Sequence, residues 1–367
     1  MRRLIPILFL VSGLSAAHFE SSEQCKACHP VIYKEFQTTQ HANASVFDDE
    51  IHAAVWKNHP KNIKMSSYAC AKCHTPAADN YEALIAKGNS VVPDQNNTTQ
   101  REGISCAYCH RIEDIEYHEK SNTNIISKEP KSYFGTLKSH IDSPFHKIKT
   151  DSKHFDNGNV CIGCHSHKKN KFGTNVCSTN IENELDGSNC VSCHMPKVKG
   201  SVSVLRETEK HTFHGFPGTH THREMLSHYV DLRLIREAEG FKVIIENKSS
   251  HALSLHPMRV MQLRVHLIRG ATTKALESEN FARIIGDKGE PKPPWLAKKE
   301  VSNNAIKAHE TREIGYPEVL QAGDIVEITL GYYLVNPKML KSLDLEKSDV
   351  ATKFHQYKKV RVEVDEF

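Results

Sequence analysis

At 367 residues, with 25% charged and 38% hydrophobic side chains, the chain has material for two folded domains and is not a disordered polymer. A formal charge of +4 without a long basic run excludes nucleic acid as the expected partner, and 7% aromatic residues is thin for a chain that must build its own core. Eleven cysteines and 24 histidines are the departures from ordinary composition.

Residues 1–17 read as an export leader. Arg2 and Arg3 precede an apolar run from Leu4 to Leu14, and Ser15-Ala16-Ala17 offers small side chains at a cleavage site. The run is shorter than the ~20 residues a membrane-spanning helix needs, and no later stretch is longer or more apolar. The expectation is a chain that starts at His18, is exported to the periplasm, and is not an integral membrane protein after cleavage.

Many cysteines in an exported chain first suggest disulfides. Their spacing argues otherwise. Ten of the eleven fall into five copies of one pattern: Cys25-x-x-Cys28-His29, Cys70-x-x-Cys73-His74, Cys106-x-x-Cys109-His110, Cys161-x-x-Cys164-His165 and Cys190-x-x-Cys193-His194. C-x-x-C-H is the attachment site of c-type haem. Its thiols form thioethers with the haem vinyl groups, and the adjacent histidine binds the iron on one face. Zinc ribbons pair their C-x-x-C motifs and need no histidine next, and thioredoxin-like sites use a single motif in a βαβ unit. The sequence therefore predicts five covalent c-type haems, with His29, His74, His110, His165 and His194 as proximal iron ligands. Cys177 is left over. It reads as a small buried residue or free thiol, with competition against Cys190 for a vinyl group as the sharper alternative.

Cys25 to His194 spans 170 residues, or 34 per motif. That is too little protein for an ordinary core around each group, so the porphyrins must supply much of the apolar interior. Short helices, long loops and closely packed haems follow. Loss of Arg2 and Arg3 takes the charge from +4 to +2, and haem propionates bring the holoprotein near neutral or below.

Histidine is the natural second ligand for a low-potential iron, because methionine raises the potential. His41, His59, His146, His214 and His220 are the distal candidates, and His211 and His222 belong to the same cluster as the last two. Met195 directly follows His194 and reads as packing.

After about residue 232 cysteine disappears and alternation begins. Phe241 to Ile245, Val260 to Ile268, Asp324 to Leu334 and Lys359 to Val364 read as strands, and Gly286 to Pro294 as a loop. The expected fold is a mainly α and irregular multihaem cytochrome c domain over 18–231. A small antiparallel β-sandwich domain over 232–367 follows it, with a short helical insertion near Pro337 to Val350. His251 and His256 lie in a segment that could carry a loop of this domain to a haem.

The opening Ser22-Glu23-Gln24-Cys25, with Tyr33 and His41 beyond it, resembles multihaem cytochromes related to the tetrahaem electron carriers of ammonia oxidation and to octahaem hydroxylamine oxidoreductase. Gly103-Ile104-Ser105-Cys106, Ser143-Pro144-Phe145-His146, Cys193-His194-Met195-Pro196 and His211-Thr212-Phe213-His214-Gly215 share that resemblance, which covers roughly 20–230. It implies stacked haem pairs, paired histidine ligands and electron transfer, and leaves the substrate open because the group mixes carriers with enzymes. Two functions follow. One is a periplasmic electron carrier between periplasmic or membrane-bound redox proteins. The other is an oxidoreductase in which one open haem acts on a small nitrogen or sulfur compound. No triad, phosphate loop or paired-carboxylate motif points to other chemistry.

Overall fold

The computed structural model describes residues 19–64, 67–88, 90–137, 143–179, 189–253 and 256–366. The expected leader, residues 1–17, lies outside the described residues.

The N-terminal part is built from helices of four to nine residues joined by loops. Each C-x-x-C-H segment sits on or beside a helical turn: Ser22–Cys25, Ala71–His74, Cys106–His110, Ile162–His165 and Cys190–His194. The spacing suits a helix, because residues three and four apart lie on one face, so both thiols and the imidazole point the same way. Backbone bonds close these turns, His29 N–H to Cys25 C=O at 2.8 Å and His74 N–H to Cys70 C=O at 3.0 Å. Ser105 caps the third, accepting from Tyr108 N–H at 3.0 Å. Asn189 and Ser192 form a reciprocal capping box on the fifth.

The expectation of an α and irregular region misses some pairing. Four two-stranded ladders lie among the described residues here, three between motifs, 112–116 with 123–126, 132–134 with 147–149 and 167–169 with 175–178, and one after the last motif, 197–199 with 210–212. The apolar clusters here are small. One gathers Ala44, Ala77, Ile104, Tyr108, Ile112 and Ile115, another Val46, Trp56, Tyr68, Ala71, Ala78 and Leu84.

The C-terminal part is β-rich. Val230–Glu237, Gly240–Asn247 and Thr311–Tyr316 form one antiparallel sheet. Val260–Arg269, Ile325–Tyr333 and His355–Glu363 form the spine of a second, with Thr272–Ala275 and Glu279–Phe281 on its edge. Alternate residues of both sheets enter one core. Leu263, Val265, Val326, Ile328 and Leu330 come from the second sheet, and Val230, Phe241, Val243 and Ile245 from the first. Each such side chain stabilises by about 1.5–3 kcal/mol through removal from water.

The expected strands at 241–245 and 260–268 fall within observed ones, those at 324–334 and 359–364 overrun theirs by a residue at one or both ends, and 3-10 turns and a short helix lie at 337–339, 341–343 and 349–352, where a helical insertion near 337–350 was expected. The first sheet begins at Val230, two residues before the expected boundary. The expected loop at 286–294 is in part a hairpin instead, pairing Gly286 with Pro291 and Asp287 with Glu290. Lys288 and Gly289 both take positive φ, 53° and 85°, the conformation a two-residue type I′ turn requires. The glycine and charge that read as loop are the turn residues of this ribbon.

The two parts share an apolar contact. Ala54, with Ile51 and Val55, packs against Met258, Val335, Leu343, Leu345 and Ala351. Asn170 donates through Nδ2 to the carbonyls of Pro294 and Ala297, at 2.8 and 2.7 Å. Among the described residues no helix is long and apolar enough to cross a membrane.

Candidate haem sites

The folded chain brings the motifs into contact. The thiols of Cys25 and Cys106 meet, as do those of Cys73 and Cys164 and those of Cys161 and Cys190. The first motif thus adjoins the third, the second the fourth, and the fourth the fifth. Cys177 lies on the ladder strand opposite Lys168, and Cys73 and Arg259 are among the groups that act on it.

Four motif histidines each face one further imidazole. Ring centroids are 6.3 Å apart for His29 and His146, 6.2 Å for His110 and His214, 6.2 Å for His194 and His251, and 5.8 Å for His165 and His41. Two imidazole nitrogens each about 2.0 Å from a shared metal ion, with the ring half-widths added, put the centroids roughly 6 Å apart.

Hydrogen bonds fix which nitrogen is free. In the first three pairs, Nδ1 of each ring lies against a backbone carbonyl. His29 meets Val202 C=O at 2.6 Å, His110 meets Phe134 C=O at 2.7 Å, and His194 meets Pro217 C=O at 2.6 Å. On the opposite side His146, His214 and His251 meet Lys147, Thr212 and Ala252 at 3.3, 2.7 and 3.0 Å. A carbonyl takes a proton from Nδ1, which leaves the Nε2 lone pair for a metal, the usual support of a ligating histidine. Burial reinforces this by favouring the neutral ring. It pushes His41 and His214 down to about 3, and lowers His110, His165, His251 and His146.

The donor set fits c-type haem. Imidazoles come in opposed pairs beside a thiol pair on one helical face. Among the described residues no three His, Cys, Asp or Glu side chains converge as a tetrahedral zinc site would need.

His41 is held by its loop. Ile104 N–H donates to His41 C=O at 3.1 Å, and Gly103, at φ 69°, lies so close that a Cβ there would stand 2.8 Å from the same oxygen.

His59 and His220 stand in other roles. His59 caps a helix, its Nδ1 accepting from Lys61 N–H at 3.1 Å, and its ring packs on Trp56 and Trp295. Nε2 of His220 lies 3.2 Å from the guanidinium of Arg259. His211 is fully buried between Glu35 Oε1, 2.7 Å from Nε2, and Gly200 C=O, 3.1 Å from Nδ1. Glu35 also accepts from His214 N–H at 2.9 Å, so this buried pair braces the His214 backbone. Nε2 of His222 lies 3.0 Å from Thr38 Oγ1.

His74 is the exception among the five. The imidazole beside it is His52, at 4.0 Å between centroids, too close for a metal to sit between them. Nδ1 of each ring lies 3.1 Å from the same carbonyl, Ala44, and Nε2 of His52 lies 3.1 Å from Tyr68 Oη. Nothing in the residues around His52 singles it out.

Residues 24–111 match the family model described as cytochrome c554 and c-prime. No curated protein matches the chain. Among solved structures, a penta-heme cytochrome c552 from Thermochromatium tepidum shares the fold, with a TM-score of 0.74 over 95% of this chain and 100% of that one, at 20% sequence identity. The motifs, the matched segment and the shared fold together support a multihaem c-type cytochrome. A link to ammonia oxidation finds no support in these matches.

Proposed function

We propose that this chain is a periplasmic electron-transfer protein carrying five covalent c-type haems, one at each C-x-x-C-H segment. The observation that carries the reading is the set of four opposed imidazole pairs, each with one member from a motif. In this reading His146, His41, His214 and His251 are the distal ligands opposite His29, His165, His110 and His194. His59 and His220 are not ligands, because their ring nitrogens hold a helix end and a guanidinium. Paired imidazoles would keep an iron six-coordinate in both oxidation states, and the contacting motifs gather into two groups, the first with the third and the second with the fourth and fifth, within which electrons would pass directly. When bound, the haems supply reversible one-electron chemistry. The chain's own residues orient the ligands, exclude water and keep the imidazoles neutral. The C-terminal part, read as a β-sandwich because both larger sheets feed one core, supplies His251 and a wall of the redox region.

His74 favours a second element of function. Among the described residues no imidazole stands at metal-bridging distance from it, and in this reading it marks one centre with an open face, the arrangement of an oxidoreductase rather than of a pure carrier. Intact mass after acid-acetone extraction tests the haem number, with five retained groups expected. Carbon monoxide titration of the ferrous protein tests the open face: one equivalent per chain is expected. Fewer than five retained haems sinks the stoichiometry, and no carbon monoxide binding returns the reading to a carrier.

A further inference from the structure

One short segment, residues 214–217, touches three motifs. His214, which opens it, faces His110 of the third motif. Two residues on, the ring of Phe216 stands nearly perpendicular to His214, with centroids 6.1 Å apart and planes at 84°, and to His41, at 4.5 Å and 83°. His41 is the imidazole that faces His165 of the fourth motif. The next residue, Pro217, offers its carbonyl to Nδ1 of His194 in the fifth motif, at 2.6 Å. The segment thus joins the group that holds the third motif to the group that holds the fourth and fifth. The thiol side adds a second link between the third and fourth motifs, where Asn124 Nδ2 lies 3.1 Å from Tyr108 Oη and 3.6 Å from Cys164 Sγ.

The segment is fixed at both ends. Phe213 N–H donates to Pro196 C=O at 2.9 Å, and Gly218 N–H donates to Thr221 C=O at 2.8 Å. Between these anchors Phe216 takes φ 43°, a left-handed conformation that a bulky side chain rarely adopts, ahead of a proline that biases it toward extended backbone. Such a position persists only where its surroundings over-determine it. Glycine takes that conformation freely, so the turn itself does not call for phenylalanine. What phenylalanine adds is the ring, set edge-on between two imidazoles that face different motifs, the arrangement aromatic rings favour at these separations.

We propose that Phe216 is the positioning residue of a junction between the third and fourth centres. Its ring fixes the planes of His41 and His214 at once, and with them the separation and relative orientation of the two centres between which an electron passes. The proposal rests on the reading of His41 and His214 as distal ligands. Each transfer oxidises one centre and reduces the other by one electron, and no proton moves. Tunnelling falls steeply with separation, so a ring that removes rotational freedom from both ligands holds the passage at one value. Because the same ring touches both ligands, a change at one centre is felt at the other.

The experiment uses the full holoprotein and electron paramagnetic resonance during a potentiometric titration. His41→Ala and His214→Ala each remove one low-spin ferric signal and so identify the two centres. Phe216→Leu should then shift both identified signals and both midpoint potentials together, and weaken the magnetic broadening that each centre causes in the other. The signal of the centre that holds His29 and His146 should stay where it is, and five haems should be retained. Phe216→Tyr keeps the ring and should restore the unmutated signals and potentials. Phe216→Gly takes the same φ without strain and should show the same shifts as Phe216→Leu, which separates the ring from the turn and serves should Phe216→Leu fail to assemble. Signals and potentials unmoved in Phe216→Leu or Phe216→Gly overturn the junction, and so does a shift confined to one centre. If His41→Ala or His214→Ala leaves every low-spin signal in place, the ligand reading itself is overturned and the junction with it.

Discussion

At the scale of single residues, the position of one ring proton sorts the histidines. Where Nδ1 lies against a carbonyl, as in His146, His214 and His251, Nε2 is a lone-pair donor for metal. Where Nδ1 accepts from an N–H, as in His59 and His256, it is not. Replacing His146 or His251 by Ala should therefore convert one centre to high spin and let it bind carbon monoxide, read in the ferrous spectrum. The same change at His59 should leave the count of low-spin centres intact. Sequence reasoning reached the motif histidines because their cysteines are one and four residues away. It could not rank His59 against His251, because the imidazole facing His194 comes from a loop of the C-terminal part and only the fold brings that loop to His194. His52 was invisible for the same reason, since only the fold sets it 4.0 Å from His74.

At the scale of elements, turns and loops carry the strained positions. A side chain at Gly103 would need the left-handed conformation and would press on His41 C=O. Gly103→Ala should cost about 2 kcal/mol in thermal or denaturant unfolding and broaden the signal of the centre that includes His41. In the β-rich part, Asp324 is nearly fully buried and accepts from Arg269 through Nε at 2.8 Å and Nη2 at 2.6 Å, and from Gln321 N–H at 2.8 Å. The Arg269 hydrogen bonds, first among the causes, hold its carboxyl below the usual range. Because the folded pKa is depressed, the pair's stabilisation is present above the ordinary carboxylate pKa and is lost as pH falls through the lowered one. Asp324→Asn should cost about 2 kcal/mol at neutral pH and flatten the acid limb of the stability profile, measured by denaturant unfolding from pH 7 to pH 3. The strands were legible because Val260 to Ile268 and its neighbours alternate with period two. The 286–291 hairpin was not, because a type I′ turn uses the residues that also mark loops.

At the scale of the whole molecule, the two parts are joined by apolar packing at Ala54 and by the ring of His251. A fragment over 230–367 carries its own two-sheet core and should show β circular dichroism. It should also expose Met258, Val335, Leu343 and Leu345 and self-associate in sedimentation. The reciprocal chain, ending before 230, should attach five haems but show one more high-spin centre than the full protein. A count unchanged by this truncation assigns His251 to the surface. The position of His251 also bears on the order of biogenesis. A chain delivered from its N-terminus presents all ten attachment cysteines by Cys193, before the strand at 240–247 or the ring beyond it has emerged. Covalent loading can then be complete while the last iron still lacks its second imidazole, and that imidazole arrives only when the final third folds back. The colour of the fifth centre becomes a record of completed synthesis, by which a cell's proteases or an optical assay can tell a finished molecule from one cut short.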